Sequence, residues 1–132
     1  MAPTTYSGSC HCGTVQFTAK LDLLGGGTTK CNCSICTKTR SWEGLVDPEN
    51  FALTSGQTEL TEYRFGSQTF PHYFCKYCGV HTHLKGRIPG LGERVMVQVQ
   101  CLDGVEASVL GKLPVRYINN LEDKVCAIID DM

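Results

Sequence analysis

Short runs alternating apolar and polar residues dominate this chain. Val15, Phe17 and Ala19 alternate with Thr14, Gln16 and Thr18, the period-two pattern of a half-buried strand. Leu60, Tyr63 and Phe65 fall in a second β-prone run, TELTEYRF, and His72, Tyr73 and Phe74 lead a third into Cys75. Val80, Thr82 and Leu84 alternate with His81 and His83, and Val95, Met96, Val97 and Val99 form the most convincing strand. Gly25-Gly26-Gly27, Pro48, Ser55-Gly56, Gly66, Pro89-Gly90 and Gly92 punctuate these runs as turns. The one window with helical character is a turn or two around Cys33 to Arg40. With no repeat or linker, residues 1–132 read as a single, mainly β domain.

Composition narrows the function classes. At 132 residues the chain is long enough for one core. Twelve basic against 13 acidic residues give a net charge of −1, with no basic block, which argues against nucleic acid or an acidic membrane surface as a partner. No apolar stretch approaches the ~20 residues of a membrane span. The opening MAPTTYSGSC is polar and has no signal-peptide pattern, so a reducing, cytoplasmic setting is expected. No phosphate loop, dinucleotide fingerprint or Ser-His-Asp arrangement appears.

Nine cysteines change the picture. In a reducing compartment they are not expected to form a disulfide framework, and their number is odd. Spacing argues more strongly. Cys10 and Cys12 form C-x-C, Cys31, Cys33 and Cys36 form C-x-C-x-x-C, and Cys75 and Cys78 form C-x-x-C. Thiolates one or two residues apart can turn toward one ion, so zinc is the natural ligand. An iron–sulfur cluster is the competitor, with different common spacings. Seven thiolates divide as four plus three, a closed structural site and a three-ligand site with a vacancy. A histidine (His11, His72, His81 or His83) is the alternative fourth ligand. Spacing leaves open whether Cys10 and Cys12 pair with Cys75 and Cys78 or with the middle cluster. Cys101 continues the alternation of Val95, Val97 and Val99 and reads as a core thiol, while Cys126 carries no motif.

Gly8-Ser9-Cys10-His11-Cys12-Gly13, Cys31-Asn32-Cys33-Ser34-Ile35-Cys36 and Phe74-Cys75-Lys76-Tyr77-Cys78-Gly79 resemble the glutathione-dependent formaldehyde-activating enzyme family, which includes centromere protein V. The resemblance extends through Asp47-Pro48-Glu49-Asn50-Phe51 and Cys101-Leu102-Asp103, covering residues 7 to about 104. It implies a β-tent, small antiparallel sheets leaning together around two zinc ions. It implies a structural ion on Cys10, Cys12, Cys75 and Cys78, and a second on Cys31, Cys33 and Cys36 with its fourth position free. The implied activity is that of a carbon–sulfur lyase joining formaldehyde to glutathione as S-(hydroxymethyl)glutathione. A non-catalytic zinc-binding interaction module is the alternative.

Residue chemistry fits that activity. Three thiolates offset the +2 ion and weaken it as a Lewis acid, which favours holding a substrate thiol over polarising a carbonyl. Glutathione's carboxylates call for cations, and Lys38, Arg40 and Lys76 lie close in sequence to the ligands, although surface exposure is the expected state of each. Trp42 is expected in the core rather than walling the ion. His81 and His83 are expected as a solvent-facing polar pair on one strand face.

Overall fold

In the computed structural model, which describes residues 3–64, 70–88 and 90–119, the chain is 48% strand and forms two sheets. A three-stranded antiparallel sheet has the order β1-β2-β5, from Thr4–Ser9, Gln16–Leu21 and Phe51–Ser55. A seven-stranded sheet has the order β10-β3-β4-β9-β8-β7-β6. Its strands are β3 (Thr28–Cys31), β4 (Glu43–Val46), β6 (Leu60–Tyr63), β7 (His72–Cys75), β8 (His81–Ile88), β9 (Gly92–Gln98) and β10 (Val115–Ile118). All its pairs are antiparallel except β10, which runs parallel to β3 and sets Ile118 beside Cys31. Three short helices, α1 (Leu23–Gly26), α2 (Ser34–Thr39) and α3 (Ala107–Leu110), fill the connections. The mainly β domain expected from the alternating runs is what the chain forms.

The small sheet leans its apolar face on one face of the large one. Phe17, Ala19, Leu21 and Leu23 meet Val46, Val95, Val97 and Val99 there, all buried. Burying a side chain of this size is worth roughly 1.5–3 kcal/mol, so this layer supplies much of the folding free energy. Gly8 of β1 is required by the contact. A Cβ there would meet the Phe17 ring at 2.2 Å. A bridge from Gly8 to Leu102, with Asp103 N–H donating to the Ser7 carbonyl at 2.8 Å, closes the tent on that side.

The two faces of the large sheet follow from register, because residues directly opposite in an antiparallel pair project to the same side. Leu45, Met96, Leu84 and His72 lie in one row across β4, β9, β8 and β7, and Glu43 and Gln98 face each other one step along. Glu43 therefore shares a face with Leu45 and Met96, opposite the tent core. Gly44, Val97, His83 and Tyr73 form the row on the core side.

Several expectations need correction. The β9 strand ends at Gln98, and Val99–Cys101 form a 3₁₀ turn rather than continuing the alternation. Cys101 is nonetheless buried, and its thiol contacts the His81 carbonyl oxygen at 3.3 Å. Gly25 and Gly26 close α1, whose start is capped by the Asp22 carboxylate accepting from Gly25 N–H at 2.9 Å. Phe65, Gly66, Pro89 and Cys126 lie outside the described residues.

Candidate metal centres

Two turns of similar build bring four cysteines together. After β1 the chain doubles back through Cys10 to Val15. Cys10 N–H donates to the Val15 carbonyl at 3.0 Å, Gly13 N–H to the Cys10 carbonyl at 3.3 Å, and Val15 N–H to Cys10 Sγ at 3.3 Å. After β7, Cys75 N–H donates to the Val80 carbonyl at 3.1 Å, Gly79 N–H to the Cys75 carbonyl at 2.8 Å, and Tyr77 N–H to Cys75 Sγ at 3.4 Å. Gly13 and Gly79 take positive φ of 82° and 75°, which turns the chain back after each pair at little steric cost.

The sulfurs of Cys10, Cys12, Cys75 and Cys78 all lie within 4.8 Å of one another. Cys12 Sγ is 3.7 Å from Cys10 Sγ and 3.6 Å from Cys75 Sγ. A disulfide would need about 2.05 Å. A tetrahedron with metal–sulfur bonds near 2.3 Å has edges of about 3.8 Å, so the spacing fits one shared ion. Thiolate charge is supported at two of the four: the Thr14 hydroxyl and N–H pull the Cys12 thiol below its usual range. Burial pushes Cys78 up, yet the Val80 and Cys12 N–H groups and the neighbouring sulfurs carry it down to about 6. Cys10, Val15 and Cys75 are buried, with Leu53, Leu60 and Val80 packed around them.

The second group is local. Cys31 ends β3, Cys33 caps α2, and Cys36 lies in its first turns, with all three sulfurs within 4.8 Å of one another. Cys33 N–H donates to Cys31 Sγ at 3.4 Å, and the Cys33 carbonyl accepts from Thr37 N–H at 2.9 Å. Arg40 closes the helix at φ 55°, and Ser41 N–H donates to the Cys36 carbonyl at 3.1 Å. Among the described residues, no fourth cysteine, histidine or carboxylate atom joins this group within 4.8 Å of every member. Crowded sulfurs hold their protons: Cys31 raises Cys33, and Cys31 and Cys33 together raise Cys36 further.

A family model described as glutathione-dependent formaldehyde-activating enzyme matches residues 5–112. The chain belongs to that family. It is also similar to a Rhodobacter sphaeroides protein of known crystal structure, at 32% identity and a TM-score of 0.68, over 83% of this chain and 98% of that one. The pairing of Cys10 and Cys12 with Cys75 and Cys78, left open by spacing and implied by the family resemblance, is the arrangement that the sheets bring about.

Beside the local group, where Ser41 N–H meets the Cys36 carbonyl, the fold carries a buried polar cluster. Glu43 is 4% exposed, and its carboxylate accepts from the Ser41 hydroxyl at 2.6 Å. Gln98 Nε2 donates to Ser41 Oγ at 2.8 Å, and Gln98 Oε1 accepts from Trp42 N–H at 3.1 Å and Gln100 Nε2 at 3.0 Å. Burial raises Glu43 to about 7; the Ser41 hydrogen bond lowers it, and the charge of Cys33 raises it. Every fully buried side-chain nitrogen and oxygen among the described residues has a partner.

Other candidates fall elsewhere. Lys38, Arg40 and Lys76 are exposed, and Lys76 lies 5.2 Å over the Tyr77 ring. Trp42 packs against the tent core, donates from Nε1 to Thr28 Oγ1 at 2.7 Å, and carries Lys30 5.1 Å over its ring. The expected solvent-facing histidine pair is overturned. His83 is 2% exposed, because β8 is flanked by β7 and β9 and covered by the small sheet. Tyr73 stacks on it at 4.8 Å and Phe51 lies at 4.8 Å, and burial drives its pKa down to about 3. His81 is half-buried against Phe74. His72 is buried, and burial together with the nearby His81 holds its pKa below the usual imidazole range.

Proposed function

We propose that this protein is a cytoplasmic, zinc-dependent carbon–sulfur lyase that condenses formaldehyde, or a related aldehyde, with glutathione to S-(hydroxymethyl)glutathione. Family membership supports the substrates. The observation that carries the reading is the three-sulfur group with no fourth ligand among the described residues. In it Cys31, Cys33 and Cys36 hold one ion, while Cys10, Cys12, Cys75 and Cys78 hold a structural one. Zinc, when bound at the three thiolates, supplies a fourth position that favours a substrate sulfur as thiolate. The chain's part is to fix that position and bury it: Cys33 and Cys36 are 5% and 6% exposed, which limits access by water. Three thiolates leave a net −1 cluster, so a thiol is a better match than a carbonyl oxygen.

The test is direct. Zinc-loaded protein, with two ions per chain, should accelerate exchange between free and glutathione-bound formaldehyde measured by NMR at equilibrium. Cys33→Ala should return exchange to the uncatalysed rate while keeping one ion. Undiminished acceleration in that variant would overturn the assignment. No acceleration by the zinc-loaded wild type would leave a non-catalytic zinc-binding module.

A further inference from the structure

We propose that a cavity at the start of β3 holds the γ-glutamyl end of the substrate thiol, with Arg116 as the residue that selects it. The inference rests on the reading that a thiol enters beside Cys31, Cys33 and Cys36, and it names which thiols that site takes.

The cavity opens where two neighbouring strands part. β3 and β4 pair at a single position, Thr29 with Glu43, and the space lies beyond it, between Gly27 and Thr29 on one side and Leu45 and Asp47 on the other. It measures about 240 Å³ and is also lined by Lys20 and Asp22 at the end of β2 and by Arg116 of β10. Pockets that bury a whole drug-sized ligand run to roughly 300–1,000 Å³, so this one suits one end of a small substrate.

Register sets the cavity and the sulfurs on one side of the large sheet. Side chains two apart on a strand share a face, so Cys31 projects with Thr29. Thr29 in turn projects with its partners, Glu43 on β4 and Arg116 on β10. Thr29 and Gly27 stand two and four residues before Cys31, about 7 and 13 Å along the chain. In an extended γ-glutamylcysteine unit, the glutamyl α-carbon lies about 9 Å from the sulfur. A thiol on the three-sulfur group thus sets that end in the cavity.

Charge decides which end of glutathione belongs there. The lining carries two cations, Lys20 and Arg116, and two carboxylates, Asp22 and Asp47. A lone anion such as phosphate would be repelled by the acids, and the glycine end of glutathione offers a carboxylate alone. The γ-glutamyl end offers a carboxylate and an ammonium side by side. The planar fork of Arg116 matches the carboxylate, and Lys20 adds a second cation. Asp47 already tolerates a cation, with Arg94 Nε at 3.3 Å, and Asp22 accepts from Gly25 N–H at 2.9 Å, so both hold acceptor oxygens at the ammonium's end of the cavity.

The experiment compares four thiols by calorimetric titration. Zinc-loaded wild type, Arg116→Ala and Arg116→Lys each receive glutathione, γ-glutamylcysteine, cysteinylglycine and 2-mercaptoethanol. Arg116→Ala should weaken glutathione and γ-glutamylcysteine alike, by about tenfold, and leave the other two unmoved. Arg116→Lys should recover part of that loss, keeping the charge without the fork. Lys20→Ala carries the same pattern at smaller amplitude should Arg116→Ala not fold. Equal weakening of all four thiols, or of none, overturns the proposal. A loss confined to glutathione, with γ-glutamylcysteine unmoved, puts the glycine end in the cavity and overturns it as well. Wild type that binds 2-mercaptoethanol but neither γ-glutamyl thiol overturns this inference and the glutathione reading while a thiol site stands. Binding of no thiol overturns the thiol site itself.

Discussion

The two sulfur centres use the same ligand chemistry in opposite settings. One is recruited from turns 63 residues apart, between Cys12 and Cys75, and ties the small sheet to the large one. Its surroundings are Val15, Leu53, Leu60 and Val80. The other spans six consecutive residues at the end of β3 and start of α2, next to the hydrogen-bonded Ser41, Glu43 and Gln98. Closing the longer loop removes about 2 kcal/mol more conformational freedom from the unfolded chain than closing the shorter one. Under the proposed function, four sulfurs in an apolar shell would complete a tetrahedron and serve stability, while three beside a buried polar cluster would leave a corner for a substrate.

That contrast is most exposed to Cys75→Ser. Losing a sulfur that is 0% exposed should release one ion and cost at least 4 kcal/mol, a fall in Tm of about 15 °C or more. A variant keeping two ions and its Tm would erase the distinction. Glu43→Gln comes next, with opposite sign. A carboxyl raised from 4.5 to about 7 keeps its proton in the folded chain while the unfolded chain has lost it, so wild-type stability falls as pH rises through that window. Above it the amide variant should be more stable by on the order of 3 kcal/mol, the two converging near pH 4.5. Melting curves from pH 5 to 8 decide this, and a parallel pair of profiles would remove the strained carboxylate from the account.

Cys33→Ala should release one ion yet lower Tm by only about 5 °C, because the knuckle closes a short loop. A loss as large as that of Cys75→Ser would make the local group a structural brace. Smallest is Arg40→Gly. The four-sulfur turns place glycine at positive φ, whereas α2 ends on Arg40 at φ 55°. Glycine there should stabilise by under about 1 kcal/mol, the left-handed penalty being partly offset by unfolded-state freedom. Urea denaturation reads that difference, and a destabilised variant would mean that the Arg40 side chain contributes packing.

The sequence made the ligands easier to read than their surroundings. C-x-C and C-x-x-C are local patterns, so Cys10, Cys12, Cys31, Cys33, Cys36, Cys75 and Cys78 stood out on spacing alone. Which pairs share an ion depends on how β1–β2 and β7–β8 are brought together, a property of sheet order that no window contains. The strands around Val15–Ala19 and Val95–Val97 were legible because alternation marks a face. β1, in Thr-Thr-Tyr-Ser-Gly-Ser, was not, since most of its side chains stay exposed. β10 was equally silent, though it sets Ile118 beside Cys31. His83 resembled a surface residue until Phe51 and Tyr73 covered it. Glu43 sits in Trp-Glu-Gly-Leu-Val, where one acid among apolar neighbours reads as an exposed position of an edge strand. It is buried where β4 pairs with β3 on one side and β9 on the other.

Cobalt substitution tests the central claim most directly, since each thiolate bound to tetrahedral cobalt adds to the near-ultraviolet charge-transfer absorption. The account predicts that fully loaded protein shows seven thiolates per two ions and gains the intensity of an eighth when glutathione is added, with no gain in Cys33→Ala. A wild-type spectrum already at eight thiolates, or one that glutathione leaves unchanged, would contradict it.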